Sequence, residues 1–132
     1  MNPKMIWANL AASDLERTTK FYTELGFKPN GAPNAELTSF LVGKNGFVIH
    51  FFLKDILKNN IKSEIANAQD VTEVCFTLSA ESKDQADHWA KEVEKAGGKI
   101  ISPPEEFGKG YYGFVFADPD GHKFNVFYME GL

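Results

Sequence analysis

The chain has 132 residues, with 14 basic and 18 acidic side chains and a formal net charge of −4. That length makes one domain, or two half-domains too small to stand alone. The charge balance and the lack of a basic cluster argue against a nucleic-acid partner, and no apolar run reaches membrane-spanning length, so no membrane partner is expected. Met1-Asn2-Pro3-Lys4 lacks the apolar core of a secretory signal. A single cysteine, Cys75, leaves no internal disulfide and fits the reducing cytoplasm.

Met5 to Ala12 reads as a strand. Ser13 stands three residues before Glu16, a capping-box spacing that opens a helix. Leu15, Thr18, Tyr22 and Leu25 recur at helical spacing and give that helix one apolar face, and Gly26 ends it. Phe27 and Lys28 begin a short strand, and Pro29 to Glu36 reads as loop. Thr38 to Val42, the turn Gly43-Lys44-Asn45-Gly46 and Phe47 to Leu53 make a hairpin. Lys54 to Asp70 is polar, with Ile56, Leu57, Ile61 and Ile65 near helical spacing, and reads as a linker carrying a short helix.

The second half repeats the order. Thr72 to Leu78 is a strand, and Ser82 with Gln85 is a second capping box. Ala86, Trp89, Ala90, Val93 and Ala96 form the buried stripe of a helix that Gly97-Gly98 stops. Lys99 to Ser102 is a short strand and Pro103 to Gly110 a loop. A last hairpin turns at Asp118-Pro119-Asp120-Gly121 between Phe114–Phe116 and Lys123–Tyr128, with Gly121 taking the positive φ. The result is an α+β fold of two βαβββ modules in one domain over residues 1–132: module 1 at about 4–53, a linker at about 54–70 and module 2 at about 71–130.

Strand parity divides the side chains between two faces. One face holds Ile6, Ala8, Leu10, Phe47, Ile49, Phe51, Val74, Phe76, Leu78, Phe124, Val126 and Tyr128. It is almost wholly apolar and is expected under the helices. The other mixes aromatic, polar and ionisable groups: Trp7, Asn9, Val48, His50, Phe52, Glu73, Cys75, Thr77, Lys123, Asn125 and Phe127 among them. A packed core disfavours unpartnered charge, and a solvated surface has no need of Trp7, Phe52 and Phe127. Aromatics with a few convergent polar groups suit a small-molecule cleft. Tyr111 and Tyr112 either rim that cleft or pack inward, and Arg17 is expected to be solvated.

Ser13-Asp14-Leu15-Glu16-Arg17, Phe21-Tyr22-Thr23-Glu24-Leu25-Gly26-Phe27 and Asp118-Pro119-Asp120-Gly121-His122-Lys123, in this order of elements, resemble the vicinal oxygen chelate superfamily: glyoxalase I, the extradiol dioxygenases, and the fosfomycin- and bleomycin-resistance proteins. The resemblance spans nearly the whole chain. It implies curved mixed sheets around a shared cleft, commonly with a divalent metal such as Ni, Zn, Mn or Fe at its floor, and a homodimer.

Carried over by position, the family's metal ligands fall on Trp7, His50, Glu73 and Asn125. His50 and Glu73 can ligate a metal. The Trp7 indole nitrogen only donates, and Asn125 offers one neutral carbonyl oxygen. Two good ligands and one weak one fall short of a catalytic site. The resemblance therefore implies two functions. One is metal-free binding of a small molecule, aromatic or not, by Trp7, Asn9, Phe52, Cys75, Thr77, Asn125 and Phe127, as in the bleomycin-resistance branch. The other is a metal-dependent lyase, isomerase or dioxygenase, related to lactoylglutathione lyase, with the metal on His50 and Glu73. His50 and Glu73 are also the candidate catalytic acid/base pair. Glu73 beside Cys75 disfavours a thiolate, so Cys75 is expected to be a small buried thiol.

Overall fold

Residues 1–131 are described by a computed structural model. Their contacts separate two units, Met1–Ala66 and the remainder from Asn67 onward. The first contains β1 (Trp7–Ala12), α1 (Leu15–Glu24), β2 (Lys28–Pro29), β3 (Leu37–Val42), β4 (Phe47–Leu53) and α2 (Lys54–Ile61). The second contains β5 (Cys75–Ser79), α3 (Lys83–Ala96), β6 (Lys99–Phe107), β7 (Tyr111–Ala117) and β8 (Lys123–Met129). Each unit has a four-stranded mixed sheet, ordered β1-β4-β3-β2 and β5-β8-β7-β6. The first strand of each runs parallel to the last, and the remaining pairs are antiparallel. The duplicated βαβββ order read from the sequence is the architecture. Among the described residues no helix is long and apolar enough to cross a membrane.

The apolar face is buried where parity puts it: Ile49, Phe51, Phe124 and Val126 are almost fully enclosed. In the first unit Tyr22 of α1 stacks on Phe51 at 4.6 Å between ring centroids. It also meets Phe27 and Phe40, each at 5.6 Å. In the second, α3 packs on β7 and β8 with Ala86, Ala90 and Val93 as its buried residues. Under it the Phe116 and Phe124 rings lie 5.1 Å apart and 6° from parallel. Enclosing one such ring is worth about 1.5–3 kcal/mol.

Several local expectations are corrected. The cap of α1 is Asp14, not Ser13: its Oδ1 accepts from Arg17 N at 3.0 Å. Ser13 Oγ instead accepts from Arg17 Nη2 at 2.8 Å, so the guanidinium is tethered rather than merely solvated. A carboxylate three residues ahead of a free N–H serves it as well as a hydroxyl does, and this leaves Ser13 for the side chain. At α3 half of the expected box forms, with Ser82 Oγ accepting from Gln85 N at 3.0 Å, while the return bond goes to the residue ahead of the cap. Gln85 Oε1 returns to the N–H of Glu81 at 2.8 Å.

Strand β6 runs to Phe107, through the stretch expected to be loop. It lies at the edge of its sheet, where prolines are tolerated because one side of the backbone has no ladder partner. Of its two register shifts, the one between Ile100 and Ser102 falls at Ile101 and the one between Ser102 and Glu105 absorbs Pro103 and Pro104. Strand β5 begins at Cys75, not Thr72, and Ile6 and Val74 are exposed rather than under a helix. Both precede the first ladder partners, Trp7↔Val48 and Cys75↔Lys123, so no neighbouring strand assigns their sides.

The Asp118–Gly121 turn is held from within. The buried Asp118 carboxylate accepts from Asp120 N at 3.0 Å and from His122 N at 2.9 Å. Gly121 has φ +93°, and a Cβ there would meet the backbone of Ala68 and Gln69 at 2.6–2.8 Å. Lys123 Nζ donates to the carbonyls of Ala68 and Gly121, and Gln69 Nε2 to that of Pro119. The Lys123 ammonium thus fastens the start of the second unit to its own last turn.

Candidate functional site

On the face of the first sheet opposite Ile49 and Phe51 the register sorts side chains into rows. Trp7, Val48, Leu41 and Lys28 form one, Asn9, His50 and Ser39 the next, and Ala11, Phe52 and Leu37 the third. A polar row one residue wide therefore lies between two largely apolar ones. Four of the residues singled out from sequence, Trp7, Asn9, His50 and Phe52, share this surface. Trp7 is 50 % exposed and Ser39 only 5 %.

His50 occupies the middle of the row. Its Nδ1 is buried and has no hydrogen-bond partner among the described residues, and its ring meets Phe52 edge-on at 5.9 Å. An unpartnered buried nitrogen costs about 1–3 kcal/mol, so the position is held against a local penalty. Beside it, Ser39 Oγ accepts from Asn30 Nδ2 at 3.1 Å. Ser39 and Asn30 were not legible as site residues from the first and last strands alone; parity along Thr38 to Val42 carries the signal for Ser39.

On the corresponding face of the second sheet, Thr77 pairs with Asn125 and Asn125 with Val115. Ser79, Phe127 and Gly113 form the next row. Gly113 is obligatory: a Cβ would lie 1.9 Å from the Val126 carbonyl oxygen. Tyr111 tilts toward Phe127 at 6.1 Å and stacks with Phe107 at 6.0 Å, leaving an accessible aromatic ladder. Tyr112 points to the helix side, where its hydroxyl donates to Asp87 of α3. The Asp87 carboxylate pushes the phenol up to about 12, through that hydrogen bond first and desolvation second. Lys83 Nζ lies 5.5 Å from the Tyr112 ring centroid and pairs with Glu106 at 2.7 Å. The hydrogen bond and charge of Glu106 hold the ammonium above its ordinary value, and those of Lys83 hold the carboxylate below its own.

Cys75 and Thr77 are both exposed on β5, so the buried thiol expected at Cys75 is corrected. Strand β5 is at the sheet edge and nothing in its own layer covers Cys75. Glu73 lies in an exposed bend ahead of β5, not on the strand. The divalent metal that the resemblance implies does not fit this donor set. Of its four positions Trp7 offers no lone pair and Asn125 only a neutral oxygen. Among the described residues no three His, Cys, Asp or Glu side chains group so as to hold an ion.

The chain is similar to known proteins along its length. A hypothetical protein, SA1046, from S. aureus is 27% identical, with a TM-score of 0.84 over 97% of this chain and 95% of that one. A glyoxalase-related enzyme from Fulvimarina pelagi is 21% identical, with a TM-score of 0.82 over 96% and 88% of the two chains. A lactoylglutathione lyase from Agrobacterium tumefaciens is 21% identical, with a TM-score of 0.71 over 97% and 96%. At these last identities the likeness is one of fold. The family profile matches residues 4–126, and the chain belongs to the Glyoxalase/Bleomycin resistance protein/Dioxygenase superfamily.

Proposed function

We propose that the protein binds a small aromatic molecule on the mixed face of its sheets without a complete catalytic metal site, and that it does so in the cytoplasm as a homodimer. The observation that carries this reading is the face of the first sheet, where one polar row with an unpartnered His50 nitrogen runs between rows bearing Trp7 and Phe52. Apolar surface with a few placed polar groups is what holds and orients a flat ligand. Trp7, Asn9 and Phe52 are the candidate contacts on the first sheet, and Cys75, Thr77, Asn125 and Phe127 are those on the second. His50 and Glu73 remain the candidates for moving a proton, and Glu73 is the weaker because it lies outside the strand ladder.

The test uses Trp7 as reporter. The chain has two tryptophans, so Trp89→Phe leaves Trp7 as the sole indole. Aromatic probes should quench it saturably, at the same affinity with and without a chelator. Protein loaded with nickel, zinc, manganese or iron(II) and then desalted should keep far less than one ion per chain. Stoichiometric retention that His50→Ala abolishes, with metal-dependent turnover, would overturn the reading in favour of a metal-dependent lyase, isomerase or dioxygenase.

A further inference from the structure

The polar row of the first sheet has a direction that goes beyond generic ligand contact. Ser39 is buried, and its oxygen already accepts from Asn30 Nδ2. That leaves the hydroxyl able to donate, and Ser39 stands opposite His50 in the register. His50 Nδ1 is buried without a partner, and a neutral imidazole protonated there is a donor as well. Asn9 completes the row from β1 with an amide. Three adjacent side chains that can each donate a proton thus share one row. No Asp or Glu occurs in any of the four strands of this sheet, and Lys28 stands on the same face one row away. A site with donors, a nearby cation and no carboxylate of its own is complementary to an oxygen anion.

We propose that Ser39 and His50, with Asn9 beside them, bind the carboxylate of an aromatic carboxylic acid whose ring lies on the flanking Trp7–Val48 and Phe52 rows. This inference rests on the small-molecule reading above and names the class of ligand. Asn30 acts as a positioning residue: by donating to Ser39 Oγ it fixes which way the hydroxyl proton points. His50 Nδ1 is enclosed by the protein, so an acceptor removes the local penalty of that orphaned nitrogen only as the ring turns it outward.

The experiment compares naphthoate with naphthamide, equal in shape and differing in charge, on the full chain carrying Trp89→Phe. Trp7 quenching and calorimetry give both affinities. Naphthoate should bind at least about tenfold tighter, the usual effect of a hydrogen bond to a charged group. Ser39→Ala and His50→Gln should each reduce that preference, lowering naphthoate affinity by a larger factor than naphthamide affinity. Asn30→Ala should narrow the preference by a smaller factor, which a merely structural role would not do selectively. Equal binding of the two probes by the unsubstituted row would overturn the carboxylate inference and leave the aromatic-binding reading intact. Saturable binding of neither would overturn both. The comparison of probes on the unsubstituted row decides the matter even where the buried Ser39→Ala variant fails to fold.

Discussion

In the first unit a helix of 10 residues meets its sheet with rings of its own, Phe21 and Tyr22. In the second a helix of 14 residues presents alanines and a valine to a stack of phenylalanines. The two solutions are inverse, yet both fill the same layer, because a packed interior constrains summed volume more than the side from which that volume comes. The opposite faces differ in kind. The first carries Asn9, His50 and Ser39 in one row, and the second carries Thr77, Asn125 and Val115 in the matching one. Duplicated helix faces beside diverged mixed faces separate what the fold needs from what the site needs.

The largest effects should come from the cores, and they should be alike in the two units. Phe51→Ala and Phe124→Ala each remove a fully buried ring, at a cost of about 3–5 kcal/mol. Denaturant unfolding of either variant should remain a single transition, because half-domains of this size are too small to stand alone. Two resolved transitions would break the comparison by making the units independent. Next comes an asymmetry. Gly113→Ala drives a methyl against the Val126 carbonyl and the Phe127 Cα and should cost about 1–3 kcal/mol or more. Gly43→Ala has open space around the new methyl but a positive φ of 75°, so its cost, about 1 kcal/mol, reflects backbone strain alone. Thermal melts of the pair separate crowding from strain.

The smallest effect belongs to the second unit alone. Tyr112→Phe deletes the hydroxyl that donates to Asp87 and should cost about 0.5 kcal/mol, the low end for a hydrogen bond that water can reach. The phenol is raised from 10 to about 12 in the folded chain. A group whose folded value is raised contributes fully below its unfolded value and loses that contribution as pH rises through the folded one. The difference between the parent chain and Tyr112→Phe should therefore be complete below pH 10 and vanish as pH passes about 12. Stability curves over that window that stay parallel would remove Asp87 as the cause.

The sequence made the repeated order of elements visible, because Gly26 and Gly97 end both helices and parity marks Ile49, Phe51, Phe124 and Val126 as buried. It was less informative at edges. Pro103 and Pro104 argue for a loop in any local reading, and only the position of β6 at the sheet margin makes them compatible with a strand. Ile6, Val74 and Glu73 sit one or two residues ahead of their ladders, where alternation has no partner strand to enforce it. The site was legible in part. Trp7, Asn9, His50 and Phe52 follow from the alternation of the first and last strands. Ser39 enters through the third strand, and Asn30 through a side-chain hydrogen bond that no periodicity encodes.

The prolines of β6 bear on how the protein behaves in concentrated solution. At one margin of each sheet, strand addition is discouraged: β2 is two residues long and ends in Pro29, and β6 carries two prolines, register shifts and the charges of Glu105 and Glu106. The strands at the other margins, Trp-Ala-Asn-Leu-Ala-Ala in β1 and Cys-Phe-Thr-Leu-Ser in β5, contain neither proline nor charge. Unguarded margins of this kind are where a sheet recruits further strands. Aggregation on heating is accordingly expected to enter at β1 and β5. A lysine placed on either strand is the substitution to choose for suppressing precipitation without touching the cores.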